Sequence, residues 1–322
     1  MAIGKTLTAA ALALLSAASQ VPVHAHAQAQ TPALWPQAPG YYRMRLGDFR
    51  VTVLSDGSVD RDLPTIMSDP DLVRERYQTQ HQTLPARLSI NCYLIDTGAH
   101  RILIDTGAGE LFGAGVAGQL IANLRSAGYA PEDIDTILLT HIHGDHSGGL
   151  TIGGHRVFPA ATVYVDAADP ALWLSKAAEA RAPTGQRNTF EQSQKTVGPY
   201  VAAGQLKTFD APTVLFPGIR AIPLRGHTPG QSGYVIESKG QRLLLWGDVI
   251  HSAEVQFREP SVTIHYDVDP KAAAATREKI LAETAESGIL VGGAHIAFPG
   301  LGHVVRNAKG YTWVPQPWSS QP

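Results

Sequence analysis

The amino-acid sequence predicts an α/β fold in which two β-rich layers carry helices on their outer sides. Three observations support this. Short apolar, strand-like runs recur along the chain. They fall into two blocks, strands then helices, and strands and helices again. Neither a short internal repeat nor a clear linker divides the 322 residues.

Taken in order, Lys5 precedes an apolar, Ala- and Leu-rich run from Leu7 to Ala18, and small residues follow at Ala25, Ala27 and Ala29. That layout reads as a secretory signal over residues 1–27, too short and too weakly apolar to span a bilayer. Residues 28–40 read as a flexible mature N-terminus and 41–322 as the folded domain, in the periplasm or outside the cell. The run Arg50 to Ser55 is a strand ending at a turn, Asp56-Gly57. Leu63 to Pro85 is polar and irregular, a loop or short helix suited to covering a pocket. Leu88 to Ile95 and Arg101 to Asp105 make a hairpin. Between Phe112 and Ser126, Leu120, Ile121 and Leu124 show helical spacing, and Gly128 ends the helix. Later strands are expected at Ala161–Val165, Leu206–Phe209, Ile219–Leu224, Gly233–Glu237 and Arg242–Trp246. Helices are expected at Pro170–Ala178, Phe190–Ala202 and, most clearly, Pro270–Glu286, with Asp269 as N-cap and Gly288 as stop.

Composition narrows the function. Cys92 is the only cysteine, so no internal disulfide forms, and it is expected as a small buried hydrophobe. A mature chain of roughly 290 residues builds a large enough core without one. The net charge is −2 and there are no Lys/Arg runs, which argues against nucleic-acid and membrane partners and for a small-molecule substrate.

The chemistry concentrates in Thr140-His141-Ile142-His143-Gly144-Asp145-His146, directly after the apolar run Ile134 to Leu139. Imidazole nitrogen and carboxylate oxygen suit borderline divalent metals. A break at Gly144 is expected to turn Asp145 and His146 away from His141 and His143, so that two cations share the loop. Three more candidates each follow a strand signal and a glycine: His227 in Gly226-His227, Asp248 in Gly247-Asp248, and His295 in Gly293-Ala294-His295.

His141-x-His143-x-Asp145-His146, followed in order by His227, Asp248 and His295, resembles the metallo-β-lactamase superfamily over nearly the whole mature chain. The resemblance implies an αββα four-layer sandwich. It places His141, His143 and His227 on one metal and Asp145, His146 and His295 on the other, with Asp248 bridging. Asp145 and Asp248 become the catalytic carboxylates, and the cofactor a pair of divalent cations, Zn²⁺ first, with Mn²⁺, Co²⁺ or Fe²⁺ as other occupants. Asp105 is the candidate carboxylate behind a ligand imidazole. His143 departs from the flavin-linked di-iron branch, which carries Glu there. The bridging Asp248 departs from true β-lactamases.

The segments Ala38 to Met44, Leu46 to Phe49, Leu111-Phe112-Gly113, Leu172 to Ser175, Val255-Gln256-Phe257 and Phe298-Pro299-Gly300 are similar to the subgroup of methyl parathion hydrolase and dihydrocoumarin hydrolase-like aryl lactonases. By that resemblance Phe112, Trp173 and Phe190 form an aryl pocket. His251, Ile264 and Tyr266 crowd the metal edge, which favours a planar lactone carbonyl over a tetrahedral phosphotriester. The expected protein is a secreted dinuclear hydrolase that opens aryl lactones and esters with a metal-bridging hydroxide, and the resemblance implies a homodimer. Organophosphate triesters are a side activity. The alternatives are an acyl-homoserine lactonase, a dedicated methyl parathion-type phosphotriesterase, and a periplasmic metal-binding protein without catalysis.

Overall fold

Alternation along the strands explains the architecture. In the run Cys92-Tyr93-Leu94-Ile95, Cys92 and Leu94 point to one face and Tyr93 and Ile95 to the other, and all are buried. A strand buried on both faces needs a layer on each side.

A computed structural model describes residues 1–2, 37–113 and 115–320. The signal reading at 1–27 and most of the 28–40 reading lie outside the described residues. Residues Ala38–Pro322 cluster as one compact unit. Its first half contributes β1 (Tyr41–Leu46), β2 (Phe49–Arg61), β3 (Ala86–Asp96), β4 (Arg101–Ile104), β5 (Thr136–Leu138), the small hairpin β6 (Thr151–Ile152) and β7 (His155–Arg156), β8 (Thr162–Asp166) and β9 (Leu206–Phe209). The second half adds β10 (Thr213–Phe216), β11 (Ile219–Pro223), β12 (Ser232–Ser238), β13 (Gln241–Leu245), β14 (Leu290–Gly292), β15 (Leu301–Asn307) and β16 (Gly310–Pro315). The helices are α1 (Leu63–Ile66), α2 (Pro70–Thr79), α3 (Leu120–Ser126), α4 (Gly144–Ser147), α5 (Ala168–Trp173), α6 (Lys176–Arg181), α7 (Arg187–Ala202), α8 (Ala253–Gln256) and α9 (Pro270–Ser287).

Two seven-stranded sheets result, ordered β1-β2-β3-β4-β5-β8-β9 and β10-β11-β12-β13-β14-β15-β16. Val51, Val53, Tyr93, Ile102 and Ile104 of the first sheet meet Ile219, Tyr234, Ile236, Leu243 and Leu245 of the second in one core. Leu54, Cys92, Leu94 and Leu103 face outwards to α3, α5 and α7 through Leu120, Leu124, Trp173, Phe190 and Val197. On the other side, Leu244 and Val291 pack on Ile280 and Leu281 of α9. This is the four-layer αββα sandwich. No helix among the described residues is long and apolar enough to cross a membrane.

Some local expectations change. The strand β2 does not end at Asp56-Gly57: it passes through them with a β-bulge, and pairing with β3 resumes at Gly57. The bulge is stable because the buried Asp56 carboxylate accepts the backbone N–H of Ala108, Gly118 and Leu120. Those bonds hold the segment carrying Phe112 in turns, so α3 starts only at Leu120. The helix expected over Pro170–Ala178 breaks into α5 and α6, with Ser175 capping the second. Helix α9 has its Asp269 N-cap and a left-handed Gly288 as predicted. The strands β1, β10, β14, β15 and β16 were not singled out from sequence. The segment after β2 forms α1 and α2 and braces Ile264, through a Met67–Ile264 bridge, without lining the cleft itself.

Candidate metal centre

Strand direction places the site. The pairs β4–β5 and β5–β8 are parallel, so Asp105, the histidine loop and Asp169 leave the first sheet at one edge. The pair β13–β14 is also parallel, so Asp248 and His295 leave the second sheet together. Loops at the carboxyl ends of parallel strands are where α/β sites assemble.

The donor atoms of His141, His143 and His227 lie within 4.8 Å of one another, as do those of Asp145, His146 and His295. Asp248 stands between the two trios. Its Oδ1 is 3.0 Å from His146 Nε2 and its Oδ2 is 3.3 Å from His227 Nε2. Nitrogen donors on one tetrahedral ion stand roughly 3.3 Å apart, and His143 Nδ1 is 3.0 Å from His227 Nε2. Past Gly144, Asp145 and His146 join His295 as expected, but not by an open loop. Residues 144–147 form a single helical turn, and the ring of His146 comes back to 4.1 Å from that of His141.

Oxygen atoms orient several of these rings. Asp105 Oδ2 lies 2.9 Å from His146 Nδ1, and Asp105 also accepts both the backbone N–H and the hydroxyl of Thr140. Ser89 carbonyl oxygen is 2.9 Å from His295 Nδ1. Asp267 Oδ1 is 2.8 Å from His227 Nδ1, a partner that sequence reading missed. It also missed Asp169, which accepts the N–H of Ile142 at 2.8 Å and of Gly230 at 2.7 Å, tying the first histidine loop to the His227 loop. Burial raises the Asp169 carboxyl to about 6. Neither carboxylate has a local pattern to betray it, since each meets the metal-site loops only across a long stretch of sequence.

The residues fit divalent cations. His141 Nε2, His146 Nε2 and Asp248 Oδ1 are buried with no hydrogen-bond partner, an arrangement that costs free energy unless a ligand satisfies it. Burial lowers the basicity of His146, yet Asp248, Asp105 and Asp145 outweigh it and hold its pKa up. A pocket that draws positive charge onto a buried imidazole suits a cation. Asp145 has the same balance with the sign reversed. Burial raises its pKa, and His146 and His295 hold it below the ordinary range.

The centre forms the floor of a cleft of 630 Å³. Phe112, Trp173, His251, Ile264 and Tyr266 line it. Trp173 meets His143 edge-on with ring centroids 5.2 Å apart, and Arg61 lies over the Phe112 ring at 5.0 Å. Tyr266 is half exposed at the rim. One pocket assignment needs correction. Phe190 does not reach the cleft: α7 turns it into the core, where it packs 4.9 Å from Trp173. His251 lines the cleft at the metal edge, 3% exposed, with Nε2 3.1 Å from Asp248 Oδ2.

A family model of the metallo-beta-lactamase superfamily matches residues 85–295. The chain belongs to that superfamily. Among solved structures of metallo-beta-lactamase fold, it is similar to "hydrolase AbOPH in beta lactamase superfamily", with a TM-score of 0.84 and 36% identity, covering 88% of this chain and 100% of that one. It is also similar to AidC, a dizinc quorum-quenching lactonase in complex with a homoserine product. There the TM-score is 0.81 and the identity 26%, over 87% of this chain and 99% of that one. An N-acyl homoserine lactonase from a Bacillus species is 28% identical over 186 residues, 52% of this chain and 66% of the relative. An atrochrysone carboxyl ACP thioesterase from Passalora fulva is 29% identical over 161 residues, 50% of this chain and 38% of the relative. The match thus spans less than two thirds of these two relatives' length.

Proposed function

We propose that this superfamily member is a dinuclear metal-dependent hydrolase that opens aryl lactones and esters, with Zn²⁺ as its cations. One observation carries the reading: two donor trios meet at Asp248 on the floor of a cleft walled by apolar and aromatic side chains. His141, His143 and His227 hold one cation, Asp145, His146 and His295 the other, and Asp248 is shared. Bound there, the cations lower the pKa of coordinated water and polarise a carbonyl oxygen.

The chain's own residues do the rest. Asp105, Asp267 and the Ser89 carbonyl hold His146, His227 and His295 with the proton on Nδ1, leaving each Nε2 free to ligate. Asp145 faces the cleft as an ionised carboxylate, placed to take a proton at its exposed edge. Phe112, Trp173 and Tyr266 offer flat apolar surface to an aromatic leaving group. A phenol, with a pKa of about 10, departs with little acid assistance. Ile264 and His251 fill the space beside Asp248, which favours a planar carbonyl and leaves phosphotriesters as a side activity.

The likeness to AidC and to the Bacillus lactonase favours a second reading, acyl-homoserine lactone opening. Rates on dihydrocoumarin, a long-chain homoserine lactone and methyl paraoxon, measured on metal-quantified protein, separate the readings. If the homoserine lactone leads by more than an order of magnitude, the aryl reading falls. If no ester or lactone turns over with Zn²⁺, Mn²⁺ or Co²⁺, the chain is a metal-binding protein instead. The same proposal includes export with loss of residues 1–27 and a homodimer. N-terminal sequencing of the mature protein and light scattering test these two points.

A further inference from the structure

We infer that His251 is a positioning residue for the shared carboxylate: it donates its Nε2–H to Asp248 Oδ2 and does not ligate a cation. This rests on the dinuclear reading above and deepens it. His251 Nε2 is close enough to His227 and Asp248 to be taken for another metal donor, so the tautomer decides.

The imidazoles of His141, His146, His227 and His295 each turn Nδ1 towards an oxygen: Thr140 hydroxyl at 3.1 Å, Asp105 at 2.9 Å, Asp267 at 2.8 Å and Ser89 carbonyl at 2.9 Å. His143 is the exception among the five ligand candidates, since it turns Nδ1 towards His227 Nε2. For a histidine that ligates through Nε2, the proton must lie on Nδ1, and an oxygen partner there holds it. His251 Nδ1 is buried and has no partner. A proton there is an orphaned donor, the rarer and costlier defect, whereas a bare nitrogen is only an unused acceptor. The proton therefore belongs on Nε2, 3.1 Å from Asp248 Oδ2.

Packing fixes the ring in that pose. His251 is stacked on His295 at 5.4 Å and 20°, and lies 4.9 Å from His227, so it touches one imidazole of each trio. Gln256 accepts the His251 backbone N–H at 2.8 Å and donates to Val262 carbonyl at 2.9 Å, which anchors the segment. With Oδ2 held, Oδ1 keeps its place 3.0 Å from His146 Nε2. Without His251 the carboxylate is free to rotate about its own axis and serves two cations less well.

Long-range ¹⁵N correlation spectra of the Zn²⁺-loaded protein read the tautomer directly. Protonated Nε2 with bare Nδ1 is expected, and protonated Nδ1 overturns the inference. Cobalt titration against a chelator gives a second readout. In His251→Leu, affinity for the more weakly held Co²⁺ is expected to fall roughly 10- to 100-fold, with altered visible bands. His251→Gln keeps an N–H at similar reach and is expected to restore both. The inference fails if the leucine variant titrates like wild type, or if the glutamine variant is equally impaired. Wild-type protein that holds fewer than two Co²⁺ sinks the dinuclear reading itself and this inference with it.

Discussion

Asp267 Oδ1 stands 2.8 Å from His227 Nδ1 across forty residues of chain, and the same carboxylate accepts the N–H of Ile264 through Oδ2. One side chain therefore orients a ligand imidazole and holds the cleft wall beside it. Burial pushes the Asp267 carboxyl up, yet the hydrogen bond to His227 holds it below the usual range. Asp105 does the equivalent for His146 on the other side of the centre.

Asp267→Asn is expected to weaken cation binding at the His141/His143/His227 trio by roughly 10- to 100-fold, through loss of the carboxylate that holds the His227 tautomer. Chelator competition with Co²⁺ measures it. Unchanged affinity would show that His227 is held by packing alone.

Asp169→Ala leaves the N–H groups of Ile142 and Gly230 buried without their acceptor. At about 1–3 kcal/mol for each orphaned group, the loss should be about 3 kcal/mol. Gly230→Ala should do similar damage, since a Cβ there would sit 2.7 Å from the Asp169 backbone nitrogen. Urea unfolding of metal-free protein reads both, and midpoints matching wild type would refute the tie between the loops.

Burial raises the Asp56 carboxyl to about 6, against hydrogen bonds from Gly118, Leu120 and Ala108 that lower it. The folded protein thus keeps a proton that the unfolded chain releases near pH 4. The stabilisation is complete below that pH and is lost as pH rises through 6, by about 3 kcal/mol in all. Asp56→Asn lacks this component. The stability difference between wild type and variant, metal-free, should therefore shift against wild type between pH 4 and 7, and a constant difference would contradict it.

Phe190 and Trp173 touch each other but face different surroundings. Phe190→Ala should cost about 3–5 kcal/mol of stability and leave KM nearly unchanged. Trp173→Ala should raise KM for aromatic substrates, because Trp173 lines the cleft. Equal effects on KM would restore Phe190 to the pocket.

Much of the site is legible in the sequence because its signals are local. His141, His143, Asp145 and His146 share six positions, and Gly226 and Gly247, just before His227 and Asp248, adopt positive φ that permits their sharp turns. The apolar runs β3 and β13 announce strands buried on both faces. Asp169 and Asp267 are invisible at that level. Each is an ordinary acidic residue in a loop, and its role exists only because a distant loop brings an N–H or an imidazole within 3 Å. Phe190 shows the converse: helical spacing places it on α7, but only packing decides which face meets the cleft.

The sequence by itself determined the donor types, their grouping in chain order and the strands that carry them, because periodicity and ligand chemistry act over a few residues. The tertiary structure alone decided that Asp267 and Asp169 brace the loops, that Phe190 turns into the core, and that His251 bonds to Asp248. Those contacts depend on how two sheets stack and where their parallel strands end, and such distances are set by the whole core.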